Sequence, residues 1–260
     1  DIGDRTLWIR GVLGSSWSRM TQALTDNILN GLRLFPDEIS PATVTAIYRR
    51  LRRTRPRLLE GYPSALHHFA KVMEDLGLDG RALGLQLVVT AGEQRYDFQR
   101  DYLRQIFGCP IADEYGCSEL GILAFECGDG RRHITVENVY VETEALDNSH
   151  AAELIVTGLV NEAMPLIRYR LGDVAQISTE SCPCGRAAPV FTKLEGKKGS
   201  LMLTADGRWI HDVALREIIC ELDRLRMGIE QVQFIQRSNA SLRVEMIRRK
   251  GPSDEVAAFV

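Results

Sequence analysis

The sequence has no run of apolar residues long enough to cross a lipid bilayer. No window approaches the roughly 18–20 apolar residues that a membrane-spanning helix needs, and no signal peptide heads the 260 residues. Apolar residues make up 45% and charged residues 26% of the chain, as in ordinary globular proteins. We therefore expect a cytoplasmic protein without a membrane partner, built as one large domain or as a large domain with a small one.

The chain also lacks a strong excess of either charge, because its formal net charge is −3. The overall charge therefore does not favour nucleic acid as a partner. A helix predicted from Pro41, with Ser40 as its N-cap, nevertheless leads into a basic group: Arg49, Arg50, Arg52, Arg53, Arg55 and Arg57. This group is either a phosphate-binding patch or a solvated helix face that complements the helix dipole. The lack of interleaved aromatic residues favours the second interpretation.

Secretory features are absent too, so the six cysteines are expected to be thiols or metal ligands rather than disulfides. Cys127 and His133 are separated by five residues, and Cys182 and Cys184 occur in a Cys-Pro-Cys-Gly turn. Three thiolates and one imidazole match the closed tetrahedral sets of structural zinc sites. On spacing alone, four unrelated loop residues are an equally open interpretation.

A strand–helix–strand unit occupies the middle of the sequence. An apolar run over 85–90 predicts a buried strand that ends in Ala91-Gly92-Glu93, and a helix ending at Gly108 precedes a second strand over 109–113. Ser64 is predicted to cap the helix before this unit. Because ligands of open α/β sheets bind at the carboxyl ends of the strands, residues 91–93 and a turn at 115–119 are expected to share a site.

The stretch Asp113-Glu114-Tyr115-Gly116-Cys117-Ser118-Glu119 combines groups that suit a nucleotide. Tyr115 offers a flat face for a base, and Gly116 allows backbone to approach a ligand closely. Ser118 can donate a hydrogen bond to phosphate, and Glu119 can offer oxygen to Mg²⁺. Taken in isolation, a strand ending in a turn is the simpler interpretation of these residues.

Short strands prevail after residue 120, and they are predicted over 134–142, 153–157 and 174–177. A hairpin over 201–210, a helix over 212–225 and strands over 231–236 and 241–248 follow. We therefore predict an α/β fold in two parts. Residues 1–196 form a large domain of mixed αβ layers with a β-rich lobe, and residues 197–260 begin a small α+β domain.

Three motifs occur in this order: Ala91-Gly92-Glu93, Tyr115-Gly116-Cys117-Ser118-Glu119 and Tyr169-Arg170-Leu171-Gly172-Asp173. Together they resemble the acyl-adenylate-forming superfamily, and within it the phenylacetate–CoA ligase family with its capsule-biosynthesis relatives. The resemblance implies a ligase that uses ATP and Mg²⁺ to activate an aryl or related carboxylic acid and then transfers the acyl group to coenzyme A. A carrier protein or an amine is the alternative acceptor. A non-enzymatic module, zinc-stabilised or binding nucleic acid, is the alternative class.

The resemblance also implies residue roles. The nucleotide would contact Ala91, Gly92, Glu93, Asp113, Tyr115, Gly116, Asp173 and Lys197. Tyr115 would stack on the adenine, Ser118 would touch phosphate, Glu119 would hold Mg²⁺, and Asp173 would bind the ribose hydroxyls. No general base is needed, because a carboxylate is already the nucleophile. Similar Cys/His pairs in some family members favour a structural zinc ion at Cys127, His133, Cys182 and Cys184.

Three departures from the family pattern predict an incomplete enzyme. The family's phosphate loop would precede Asp1, and its closing C-terminal lysine is missing. The hinge reads Gly196-Lys197-Lys198-Gly199-Ser200, in which Lys197 keeps a positive charge without arginine's bidentate fork. We expect a fragment that adenylates poorly or not at all. The sequence does not identify the acid, the acyl acceptor or the oligomeric state. A homodimer is compatible with it.

Overall fold

The computed structural model describes residues 4–11, 24–26, 28–146, 152–197, 201–203, 209–211, 229–238 and 241–248. They form a mixed α/β structure with a large mixed sheet, which confirms the predicted fold class. The chain divides into two compact units. The first contains residues 1–140, 157–167 and 177–192, and the second contains residues 141–156, 168–176 and 193–260.

The helices of the first unit are α1 (Pro41–Thr54), α2 (Pro63–Asp75) and α3 (Asp97–Phe107). Ser40 caps α1 as predicted, since its hydroxyl oxygen accepts a hydrogen bond from the Thr43 backbone N–H at 3.3 Å. The prediction that Ser64 caps the next helix is wrong, because α2 begins at Pro63. Its Ser64 N–H instead donates to the Glu93 carboxylate at 3.2 Å, so the cap comes from the end of a neighbouring strand.

The sheet of the first unit contains β1 (Thr6–Ile9), β2 (Gly31–Leu34), β3 (Leu58–Gly61), β4 (Leu87–Ala91), β5 (Ile111–Cys117), β6 (Gly121–Glu126) and β7 (Arg132–Ile134). Their order is β2-β1-β3-β4-β5-β6-β7. Strands β2 to β5 in that order are parallel, and β6 and β7 join antiparallel. A core that includes Leu59, Phe69, Val88 and Phe107 packs the helices on these strands.

Four further strands lie partly in the second unit: β8 (Val139–Ala145), β9 (Ala152–Gly158), β10 (Tyr169–Ser178) and β11 (Val190–Lys197). They correspond to the predicted β-rich region. Pairing of β12 (Leu201–Leu203) with β13 (Trp209–His211) confirms the predicted hairpin, and β14 (Ile229–Ser238) pairs with β15 (Ser241–Arg248) as expected.

Two predictions for the second unit have no outcome. The helix expected over 212–225 lies outside the described residues, and the domain boundary after Gly196 stays a prediction. No helix within the described ranges has the length and hydropathy that a membrane span requires.

Candidate functional site

The ends of β4 and β5 lie side by side. Thr90 is paired with Asp113 and Ala91 with Glu114 in parallel register. The chain turns at Gly92, whose φ of +79° is costly for residues with a side chain, and an added Cβ would lie 2.9 Å from the Tyr62 ring. Ala91 therefore lies beside Glu114, and the shared site of residues 91–93 and 115–119 stays a prediction. We call Ala91–Glu93 together with Asp113–Glu119 the strand-end site.

The second motif is a strand as far as Cys117, and the predicted turn begins only at Ser118. Strand β5 continues through Cys117 because β6 folds back on it, with an irregularity in register between Tyr115 and Gly116. A Cβ at Gly116 would lie 2.4 Å from the Gly121 carbonyl oxygen. The hairpin itself therefore requires glycine here, a structural reason that is independent of any ligand.

Tyr115 is half-buried, and its ring meets Phe191 of β11 edge-on, with centroids 5.4 Å apart and planes at 83°. Phe191 is buried and fixes one edge of the tyrosine ring. Ser118 and Glu119 follow at the exposed end of the hairpin. A hydroxyl and a carboxylate are thus accessible to solvent next to an aromatic ring that the protein holds in place.

Asp113 is buried, and both of its carboxylate oxygens accept hydrogen bonds. The Thr90 hydroxyl donates to Oδ1 at 2.5 Å, and Arg132 Nε donates to Oδ2 at 2.7 Å. The side chain therefore ties β4, β5 and β7 together. Its predicted contact with adenine stays a prediction.

A second buried ion pair lies beside the first, and sequence reasoning missed it. Arg95 donates to both carboxylate oxygens of Glu126, at 2.5 and 2.8 Å, and the two side chains are only 4% and 5% exposed. Burial alone would raise the pKa of Glu126, but the hydrogen bonds and charge of Arg95 lower it below its usual range. Arg95 Nε has no hydrogen-bond partner within the described part of the chain.

In the second unit, the predicted ribose-binding Asp173 pairs with the predicted hinge lysine. Lys197 Nζ lies 3.0 Å from Asp173 Oδ1 and donates to the Leu171 carbonyl oxygen at 3.1 Å. Asp173 is buried, and the motif that contains it forms the first half of β10. The two residues were predicted separately, and the structure joins them.

The four predicted metal ligands converge in the first unit. The ligand atoms of Cys127, His133, Cys182 and Cys184 all lie within 4.8 Å of one another, and the first three residues are buried. We call these four residues the Cys/His cluster. They come from the residue after β6, the middle of β7 and the loop before β11.

The distances within the cluster suit a tetrahedral ion. Cys127 Sγ lies 3.8 Å from Cys182 Sγ, and Cys184 Sγ lies 3.3 Å from His133 Nε2. Around an ion with zinc bond lengths, neighbouring sulfurs would lie about 3.8 Å apart and sulfur and nitrogen about 3.5 Å. His133 Nδ1 lies 2.9 Å from the Ala188 carbonyl oxygen, so a proton on Nδ1 leaves the Nε2 lone pair directed at the cluster.

The thiols of the cluster are unequal. The Arg186 backbone N–H donates to Cys184 and lowers the pKa of that thiol, whereas burial raises the pKa of Cys182. Outside the cluster, Cys109 is buried, and burial raises its pKa to about 11. The cluster therefore differs from the packed Cys109 thiol in both its geometry and its polarity.

The fold was compared with those of known proteins. No protein-family model matches the chain. A crystal structure of 2-hydroxyisobutyryl-CoA ligase in complex with 2-HIB-AMP and CoA aligns with a TM-score of 0.67 and 20% identity, over 98% of this chain and 59% of that one. The fold is that of the acyl-adenylate-forming ligases.

Two curated relatives are similar in sequence to part of the chain. Phenylacetate–coenzyme A ligase of Thermus thermophilus is 28% identical over 160 residues, which are 57% of this chain and 36% of that enzyme. Indoleacetate–lysine synthetase of Pseudomonas savastanoi is 32% identical over 139 residues, 50% of this chain and 32% of that protein. The chain is thus a homologue of the phenylacetate–coenzyme A ligases, as its motifs predicted, and the matched part spans about a third of these relatives' length.

Proposed function

We propose that this chain supplies the nucleotide-binding strand ends of an AMP-forming ligase that activates an aryl or related carboxylic acid and transfers the acyl group to coenzyme A. The observation that carries the proposal is the pairing of β4 with β5, which brings Ala91–Glu93 beside Tyr115 in a homologue of phenylacetate–coenzyme A ligases. Each motif alone is short. Their meeting at one sheet edge is what a nucleotide site requires.

The proposed reaction needs charge neutralisation more than acid–base chemistry. The substrate carboxylate attacks the α-phosphorus of ATP and pyrophosphate leaves; a thiolate then attacks the acyl carbonyl and AMP leaves. Tyr115 would stack on the adenine, Ser118 would donate to phosphate, and Glu119 would hold Mg²⁺, which offsets the phosphate charge. In the second unit, Asp173 would bind the ribose hydroxyls, and Lys197 would partly neutralise that carboxylate.

Calorimetric titration with AMP and with ATP plus Mg²⁺ tests the nucleotide site. The chain is expected to bind, and Tyr115→Ala to weaken AMP binding at least about tenfold, since stacking on an aromatic ring is worth roughly 1–3 kcal/mol per base. Tyr140→Ala is the matched control, because Tyr140 is 61% exposed in the same unit. Equal affinities of the two variants would remove Tyr115 from the site.

ATP–pyrophosphate exchange with a panel of aryl acids tests the prediction about activity. We expect little or no exchange from this chain, because the family's phosphate loop and closing lysine do not occur in its sequence. Clear turnover would show that other residues replace them. Offering coenzyme A, a carrier protein and lysine to a preformed aryl-acyl adenylate then identifies the acceptor, for which the similarity to an indoleacetate–lysine synthetase makes an amine the second candidate.

We also propose that the Cys/His cluster holds a structural zinc ion. Four closed ligands would leave no open coordination position, so the ion would stabilise the fold and take no part in catalysis. Protein purified without added metal is expected to contain about one equivalent of zinc, and Cys184→Ala to lose it. Cys109→Ala is the matched control, and equal metal content in both variants would contradict the assignment.

The arginine-rich end of α1 supports a weaker alternative. Arg49, Arg50, Arg52 and Arg53 are all exposed, as a phosphate-binding face would be. A solvated helix end that complements the dipole explains the same exposure. Salt-dependent RNA or DNA binding that is lost when these four arginines are neutralised would favour the module over the enzyme.

A further inference from the structure

The β6–β7 hairpin adjoins the Cys/His cluster and also contacts the strand-end site. Cys127 directly follows Glu126, and His133 directly follows Arg132. Glu126 is the partner of Arg95, and Arg132 is the partner of Asp113. Each of these two ion pairs therefore includes a residue adjacent in sequence to a cluster residue.

Strand geometry separates the two sets of contacts. Successive side chains of a strand point to opposite faces, so Arg132 faces Asp113 while His133 faces the cluster. β6 and β7 pair antiparallel, with Glu126 opposite Arg132 at the end of the ladder. The Cys127 N–H donates to the Arg131 carbonyl oxygen, and the Gly130 N–H donates to that of Cys127. Holding Cys127 and His133 on one centre would therefore brace the end of the hairpin at which Glu126 and Arg132 are paired.

A third connection runs through β11. Val190 pairs with His133, and Phe191 pairs with Arg132. The carbonyl oxygen of Ala188, just before β11, lies 2.9 Å from His133 Nδ1, and Phe191 carries the edge-on contact to Tyr115. The ring proposed to stack on adenine thus rests on a strand that also borders the cluster.

We propose that the Cys/His cluster, with a metal ion bound, positions the strand-end site through Glu126, Arg132 and Phe191. This inference rests on the proposed nucleotide function and adds a means of control to it. Loss of the metal, or oxidation of the cluster thiols by a chemical oxidant, would loosen Arg95, Asp113 and Tyr115 without removing any group that touches the nucleotide. Glu126, Arg132 and Phe191 are positioning residues rather than catalytic ones.

Hydrogen–deuterium exchange read by mass spectrometry tests the coupling without any ligand. Wild-type chain, chelator-stripped chain and Cys184→Ala are compared, with Cys109→Ala as the control and circular dichroism as the check on folding. Metal loss is expected to speed exchange at least about tenfold in peptides covering 90–96 and 111–117, and re-addition of zinc to reverse it. Unchanged exchange in those peptides, with the metal gone and the fold kept, would overturn the proposal, as would global unfolding that zinc re-addition does not reverse.

A double-mutant cycle on AMP affinity tests the route. Arg132→Gln and Cys184→Ala are each expected to weaken AMP binding about tenfold, and the double variant to be no weaker than the worse single variant. Multiplied effects would show that the metal does not act through the Arg132–Asp113 pair and would overturn that route. Arg243→Gln is the control, since Arg243 pairs with Glu245 on an exposed hairpin.

The two proposals fail in different ways. If metal loss speeds exchange at 111–117 but the wild-type chain binds no nucleotide, the positioning role stands and the nucleotide function fails. If AMP binds and Tyr115→Ala abolishes binding, while metal loss changes neither exchange nor affinity, the nucleotide function stands and the positioning role fails.

Discussion

The reactive groups of the two candidate sites in the first unit face different surroundings: those of the Cys/His cluster face one another, and those of the strand-end site face solvent. The Cys/His cluster turns four ligand atoms toward one another, and three of its residues are buried. The strand-end site instead places Gly92, Ser118 and Glu119 at the surface. Its Tyr115 ring contacts Phe191, and its Asp113 carboxylate accepts a hydrogen bond from Arg132. The same hairpin, β6–β7, adjoins the cluster and supports the strand-end site through Arg132.

This difference separates groups that hold the fold from groups that meet a ligand. Buried polar groups need partners within the protein, since burial without them is costly. Asp113 and Glu126 have such partners, and the four cluster residues would have one in a shared metal ion. Ser118 and Glu119 keep access to solvent, where an incoming phosphate or Mg²⁺ could reach them.

The largest effect on stability is expected from removing one partner of the buried Arg95–Glu126 ion pair. Glu126→Gln leaves Arg95 as an uncompensated buried charge, so the free energy of unfolding should fall by about 3–5 kcal/mol. Arg95→Met combined with Glu126→Leu should recover much of that loss. Urea denaturation of the zinc-loaded chain measures both.

The matched control is an exposed pair. Glu142→Gln removes the partner of Arg168, whose side chain is 66% exposed, and should cost less than about 1 kcal/mol. If Glu126→Gln costs no more than this control, the Arg95–Glu126 pair does not support the hairpin.

A substitution in the exposed part of the strand-end site should weaken ligand binding with little change in stability. Glu119→Gln should weaken Mg²⁺-dependent ATP binding about tenfold, roughly 1.4 kcal/mol, and shift the free energy of unfolding by less than about 0.5 kcal/mol, as is usual at exposed positions. Titrations with and without Mg²⁺ check this. Equal Mg²⁺ dependence in wild type and variant would exclude Glu119 as the ligand.

The smallest effect is expected at Glu114, a half-buried residue of β5 within the strand-end site. Burial raises the pKa of its carboxyl, Glu60 and Asp113 raise it further, and Arg10 opposes them. A carboxyl whose pKa is higher in the folded state binds more protons there than in the unfolded chain, so its ionisation reduces stability as pH rises from about 4.3 through the folded pKa. Glu114→Gln should therefore slightly raise the unfolding midpoint at pH 7 and leave it little changed at pH 4. A variant less stable at pH 7 would contradict this sign.

The sequence could predict the strand–helix–strand unit and the cluster, because both rest on strong local signals. Apolar runs mark β4, and cysteines are rare enough that a Cys-Pro-Cys-Gly turn stands out. The rest depends on contacts between distant residues. Arg95 and Glu126 lie 31 positions apart, and Arg132 and Asp113 lie 19 apart, with no periodicity to connect them.

The strand through Tyr115-Gly116-Cys117 was missed for a related reason. Glycine and the polar residues after it are typical of a turn, but pairing with β6 overrides that local preference. The Glu93 cap on α2 is also a long-range contact, and Pro63 displaced the start predicted at Ser64.

A crystal structure of the zinc-loaded chain grown with saturating AMP tests the nucleotide site most directly. The predicted result is adenine stacked on the Tyr115 ring, beside Ala91 and Gly92, with the phosphate toward Ser118. Adenine bound away from Tyr115, or no nucleotide at the ends of β4 and β5 at saturating AMP, would contradict it.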